Sequence, residues 1–197
     1  MPRIDAPTVA EHHALRRSAL LEAGRTLLAN DGPDAVTPKA VGAAAGIARS
    51  SVYQYFPSAA ELMAAIVEDA FAQANAVLRD ALDEADSPTG RLDAYLRTSL
   101  ALATGHSHSI FDGVDLTTLP GHTLARIDEL HREQMEPLLT AIRECGAREP
   151  GIAAQLVGGM LSAAARAVQL GADPADAERT LLEAVHHGPV PHPPAAD

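Results

Sequence analysis

Thr37–Phe56, TPKAVGAAAGIARSSVYQYF, is the stretch on which the reading of this chain turns. Two short helical patterns meet in it at Ala45-Gly46-Ile47. In the second, Val52 and Phe56 stand i,i+4, which is enough apolar surface to dock a short helix on its neighbours. Arg49, Ser50, Ser51, Tyr53, Gln54 and Tyr55 are then left to face a partner with hydrogen-bonding side chains. Two helices joined by a tight glycine turn, the second of them rich in polar groups, form the pattern of a helix-turn-helix that reads a DNA groove.

The local signals around the stretch agree. Thr37 before Pro38 fits an N-cap followed by proline at the first helical position. A helix over 37–45 places Ala40, Val41 and Ala44 inward. Gly46 is then the C′ residue that takes positive φ, and Ile47 anchors the turn. The second helix is expected from Ala48 or Arg49 to Phe56, where Pro57 stops it because a residue before proline avoids helical angles. Ser58 and Glu61 stand at the capping-box spacing for the helix after it.

Working outward, the whole chain reads as all-α. Its 197 residues are rich in alanine and leucine and hold no tryptophan. A single cysteine, Cys145, excludes an internal disulfide and fits a reducing cytosol. No charge-free apolar run of about twenty residues stands out, and no basic start precedes an apolar one, so a cytoplasmic protein outside the membrane is expected.

About nine helices are expected. The N-terminal three-helix bundle, residues 1–57, opens with a flexible arm (1–10) and a helix 11–30. In that helix Leu15, Ala19, Ala23, Leu27 and Leu28 form the apolar stripe, and Arg16, Arg17 and Arg25 face solvent. A long helix from Ala59 to about Ala85, with Leu62, Ile66, Ala70, Val77 and Leu82 on one stripe, enters a second domain, 58–187. Asp86–Gly90 reads as a turn before helices over 91–104, 122–145 (kinked at Pro137), 151–170 and 175–187. Residues 188–197, GPVPHPPAAD, read as a disordered tail.

The net charge of −11 is unusual for a protein that meets DNA, but it is unevenly spread. Residues 1–57 hold six lysines and arginines against five aspartates and glutamates, a net of +1, so the rest of the chain carries −12. Phosphate binding is local, and a near-neutral module with an acidic body permits it while predicting strong salt sensitivity.

Thr37, Val41, Gly42, Ala45, Gly46, Ile47, Ser50, Ser51, Val52, Tyr53, Tyr55, Phe56, Ser58, Glu61 and Leu62 together resemble the N-terminal module of the tetracycline-repressor (TetR) family of transcriptional regulators. The resemblance covers residues 11–65. It implies homodimers whose recognition helices enter successive major grooves of a double-stranded operator, and a C-terminal domain whose small-molecule effector releases the DNA. Three positions depart from the family pattern: Ala48 replaces a capping serine, Ala59 a phosphate-binding lysine, and Gly42 an alanine.

The residues support the same roles. Arg49 suits a bidentate contact to guanine and Gln54 one to adenine, while Ser50 and Ser51 reach base edges. Thr37, Tyr53 and Tyr55 offer hydroxyls to phosphates, and Lys39 a cation to base or phosphate. Gly158, Gly159, Ser162, Ala163, Arg166 and Ala167, with Leu182 and Val185 on the last helix, are the expected dimer interface. Tyr95, His106, Phe111, His122, Arg126, His131 and Met135 are the candidate effector lining.

His106, His108, Asp112, Asp115, His122 and His131 also raise a metal-responsive alternative, although no pair shows compact i,i+4 ligand spacing on a clear helix. No catalytic spacing, no resident cofactor and no glycine loop after a strand is recognisable, so an enzyme is not expected. A constitutive regulator without an effector is the remaining alternative.

Overall fold

The computed structural model describes residues 9–105 and 114–187. Among them are eight α-helices and no strand: α1 (Val9–Asp31), α2 (Pro38–Ala44), α3 (Arg49–Val52), α4 (Ala59–Asp83), α5 (Pro88–Thr104), α6 (Gly121–Glu144), α7 (Pro150–Gln169) and α8 (Pro174–His187). The described residues between α5 and α6 add a 3-10 turn, Leu116–Thr118. Most of the expected arm, the tail, and the candidate residues His106 and Phe111 lie outside the described residues.

The helices group into two compact units. The first holds the described residues up to Ala72 together with those from 114 to Asp128. Its core is Leu20, Leu21, Leu28, Val36, Val41, Val52, Phe56, Leu62, Ile66 and Ala70, with Ala64, Val67, Leu119 and Ile127 beside it. The second holds Gln73–Gly105 and the described residues from Glu129 onward, around Leu78, Leu92, Tyr95, Leu96, Leu138, Ile142, Val157 and Leu181.

Three faces differ from the sequence pattern. On α1, Leu20, Leu21 and Leu28 are buried, whereas Leu15 is 64% exposed and Ala19 is exposed. The contact face is set by Gly24, where an added Cβ would stand 2.3 Å from Ile66 Cδ1, so the bare backbone of α1 lies against α4. Arg25 does not line a solvent face, because its guanidinium pairs with Asp69 on α4 and Glu22 on α1. On α4, Val77 is exposed and Asn75 is buried instead, its Nδ2 donating to the Leu130 carbonyl at 2.9 Å. On α2, Val41 and Gly42 are buried while Ala44 is exposed.

Helix ends follow local chemistry closely. Thr37 Oγ accepts from Ala40 N–H at 3.1 Å, and Ser58 Oγ accepts from Glu61 N–H at 3.1 Å. α5 starts earlier than expected because the supposed turn residue Ser87 is an N-cap, accepting from Gly90 N–H at 3.0 Å with Pro88 at the first helical position. α6 continues as one helix through Pro137.

Candidate nucleic-acid interface

The turn between α2 and α3 is built around two glycines. Gly46 adopts φ 68°, a left-handed conformation in which a side chain is strained. Gly42 sits where an added Cβ would stand 2.7 Å from the Ile47 carbonyl oxygen and 2.9 Å from Val52 Cγ2. The glycine that departs from the family pattern therefore lets the chain close tightly over α2. Ile47 N–H then donates to Gly42 O at 2.7 Å.

α3 is shorter than the sequence suggests. Ala48 takes the N-cap position and makes no side-chain cap bond, as its missing hydroxyl dictates. Regular helix ends at Val52, and Gln54 and Tyr55 continue as tighter turns to the Ser51 and Val52 carbonyls at 3.1 and 3.0 Å. Phe56 N–H closes the segment with a bond back to the Val52 carbonyl at 3.0 Å, directly before Pro57. Val52 and Phe56 are buried in the first unit, while Arg49, Ser50, Tyr53 and Gln54 are exposed and Ser51 and Tyr55 are half-buried. Lys39 is exposed on α2, and Thr37 retains its hydroxyl proton while its oxygen caps the helix.

Cations and aromatic rings alternate on this surface. The Arg49 guanidinium lies 6.0 Å from the centre of the Tyr53 ring. From α1, the Arg17 guanidinium lies 5.5 Å from the centre of Phe56, and the His13 ring stacks on Tyr55 with centroids 4.4 Å apart. Among the described residues no carboxylate forms an ion pair with Arg17, Lys39 or Arg49. His13 and Arg17 stand i,i+4 on α1, where the sequence pattern predicts Arg17 on the solvent face.

In the second unit α7 is apolar on two sides. Ala154, Val157 and Ala165 are buried. On the opposite face Ile152 (59% exposed), Leu156 (61%), Gly159, Ala163, Arg166 and Leu170 (83%) form one exposed stripe at alternating spacings of four and three. Ser162 is exposed beside it, Gly158 and Ala167 are half-buried, and Leu182 and Val185 of α8 pack partly into the core. Ile152 and Leu156 were absent from the sequence-based interface, because an all-apolar helix does not reveal which face its own domain covers. α7 is also long and apolar enough to cross a membrane by length and composition, with 17% of its most apolar window buried.

The described candidate effector residues divide between the two units. Tyr95 and Met135 meet in the second unit, the phenol donating to Met135 Sδ at 3.7 Å. Burial raises the Tyr95 pKa, and nearby Ser99 tempers the rise although its Oγ makes no hydrogen bond of good geometry. His131 is exposed. His122 and Arg126 belong to the first unit and are exposed, with His122 Nε2 3.7 Å from Glu61. An open cleft of about 330 Å³ in the second unit is lined instead by Arg79, Leu82, Asp83, Arg91, Glu136, Pro137, Thr140 and Ala141. Among the described residues no group of three or more histidines, cysteines and carboxylates is placed to hold a metal ion.

Residues 20–66 match the family of bacterial regulatory proteins, tetR family. No curated protein matches the chain. The transcriptional regulator FadR from Bacillus subtilis, solved in complex with stearoyl-CoA, shares the fold with a TM-score of 0.69 at 16% identity, over 87% of this chain and 98% of its own. The TetR-like transcriptional regulator LfrR from Mycobacterium smegmatis, solved with proflavine, has a TM-score of 0.64 at 20% identity, over 90% and 99%. AibR, solved with isovaleryl coenzyme A and operator DNA, has a TM-score of 0.68 at 20% identity, over 85% and 96%. The chain thus resembles the bacterial tetR family of regulatory proteins, whose model its residues 20–66 match and whose regulators share its fold.

Proposed function

We propose that the chain is a ligand-responsive transcriptional regulator, a repressor that binds a pseudo-palindromic operator as a homodimer and leaves it when a small molecule binds. The observation that carries this reading is the division of labour on and after α3. Val52 and Phe56 are buried, while Arg49, Ser50, Tyr53 and Gln54 remain exposed with no carboxylate among the described residues paired to Arg49. Arg49 reads guanine, Gln54 and the serines read neighbouring edges, and Lys39, Thr37, Tyr53 and Tyr55 hold phosphates or bases. Its role is binding rather than catalysis, and it acts in the cytoplasm.

The exposed stripe of α7 supports the homodimer, since an apolar face of this length is better covered by a second copy than left in water. Two recognition helices related by a two-fold axis fit half-sites about 34–36 Å apart. The effector site belongs to the second unit. There, Asn75 Oδ1 and Ser99 Oγ are buried without hydrogen-bond partners of good geometry among the described residues.

Selection from a pool of random duplexes by the purified protein tests the proposal. The expected product is an enriched inverted repeat with half-sites one helical turn apart. No enrichment above the input pool would overturn it. Among candidate effectors, a molecule that raises the melting temperature and releases the selected duplex supports the ligand-responsive reading; failure of every molecule tested favours the constitutive one.

A further inference from the structure

Resting on that reading of the DNA interface, we infer that α1 is a second wall of the interface. In it Arg17 neutralises a backbone phosphate and His13 positions Tyr55 for its own phosphate contact. Residues 1–57, Arg17 among them, carry a net of only +1, so each cation exposed near α3 matters to phosphate binding.

Arg17 has the required placement. It is exposed, forms no ion pair among the described residues, and its guanidinium lies 5.5 Å from the centre of the Phe56 ring. That ring ends the turn following α3, so the cation is held beside that turn. Arg25, on the same helix, cannot serve, because it is engaged with Asp69 and Glu22. His13 lies one turn before Arg17 on the same face of α1, and its ring covers Tyr55 with centroids 4.4 Å apart and planes 31° apart. A half-buried tyrosine clamped in this way has fewer rotamers to lose when its hydroxyl meets a phosphate.

A phosphate contact has a signature that a packing role lacks. It weakens binding to every sequence alike and reduces the salt dependence by about 0.9 in log K against log salt for each phosphate released. Fluorescence anisotropy of the full chain would be measured across a salt series on the selected duplex and on a scrambled one. Arg17→Gln is expected to weaken both duplexes about equally and to lower the slope by about 0.9 per subunit. Arg17→Lys keeps the charge and is expected to keep most of the slope.

His13→Ala is expected to weaken binding severalfold with unchanged melting temperature, and His13→Phe, which retains a ring over Tyr55, to restore it. An Arg17→Gln slope equal to that of the unsubstituted protein would overturn the phosphate contact. Failure of His13→Phe to rescue would overturn the positioning of Tyr55. If the unsubstituted protein binds no duplex at all, the DNA reading itself falls and this inference with it; intact binding with an unchanged slope removes this inference alone.

Discussion

Gly42 and Ile47 are in closer contact than a side chain on Gly42 would permit. The Ile47 N–H donates to the Gly42 carbonyl at 2.7 Å, and a Cβ on Gly42 would stand 2.7 Å from the Ile47 carbonyl oxygen. This contact fixes how α3 leaves α2, and hence where Arg49 points.

Gly42→Ala is therefore expected to destabilise the protein, although alanine is the better helix former by up to about 1 kcal/mol. Overpacking against a backbone carbonyl costs about 1–3 kcal/mol, so a net loss of about 1 kcal/mol is expected, a fall of about 2–4 °C in melting temperature. A melting temperature that rises would show that the turn relaxes freely and that Gly42 has no packing role.

Asp69→Asn is expected to cost more than a surface substitution. Arg25, with a side chain 14% exposed, would lose its opposite charge on α4 while retaining only Glu22. A loss of about 1–2 kcal/mol in chemical denaturation is expected, between the values for exposed and fully buried pairs. A change within about 0.5 kcal/mol would place the pair among ordinary surface ion pairs.

Ile152→Glu with Leu156→Glu tests the exposed stripe of α7. The unsubstituted chain is expected to sediment at twice its chain mass, and the double variant at the chain mass with its helical content unchanged. A monomeric parent that partitions into lipid vesicles would assign the stripe to a membrane instead.

Alkaline stability depends on Tyr95. Burial raises its folded-state pKa above the ordinary phenol value of about 10. The unfolded chain thus releases this proton first, so the associated stability is complete below about pH 10 and is lost as pH rises towards the folded-state value. Tyr95→Phe is expected to flatten the fall in stability above about pH 10 relative to the parent. Parallel curves for the two proteins would exclude Tyr95 as its source.

The sequence was most legible where structure depends on adjacent residues. Thr37, Ser58 and Gly46 fixed caps and turn through hydrogen bonds and φ restrictions that span only a few positions. It was least legible where a contact partner lies far along the chain. Gly24 sets the buried face of α1, yet a glycine contributes nothing to an apolar period. Asn75 is buried through an amide bond to a carbonyl 55 residues away, which displaced Val77 from the expected stripe. Ser87 read as turn composition because the same residue types serve turns and N-caps.

The candidate sites divide in the same way. The reading surface of α3 is a contiguous stretch, so its residues were identified together. The His13 and Arg17 contacts to Tyr55 and Phe56 cross about 40 residues of sequence. The cleft of the second unit draws on three helices and shares no residue with the candidate effector lining expected between Tyr95 and Met135.

The most direct test of DNA reading is the affinity of Arg49→Ala for the selected duplex, beside the same duplex with each base pair of the half-site changed in turn. Loss of a bidentate contact to guanine predicts weakening by about 1–3 kcal/mol per subunit, with relaxed preference at one base pair of each half-site. Unchanged affinity and unchanged preference at every position would contradict it.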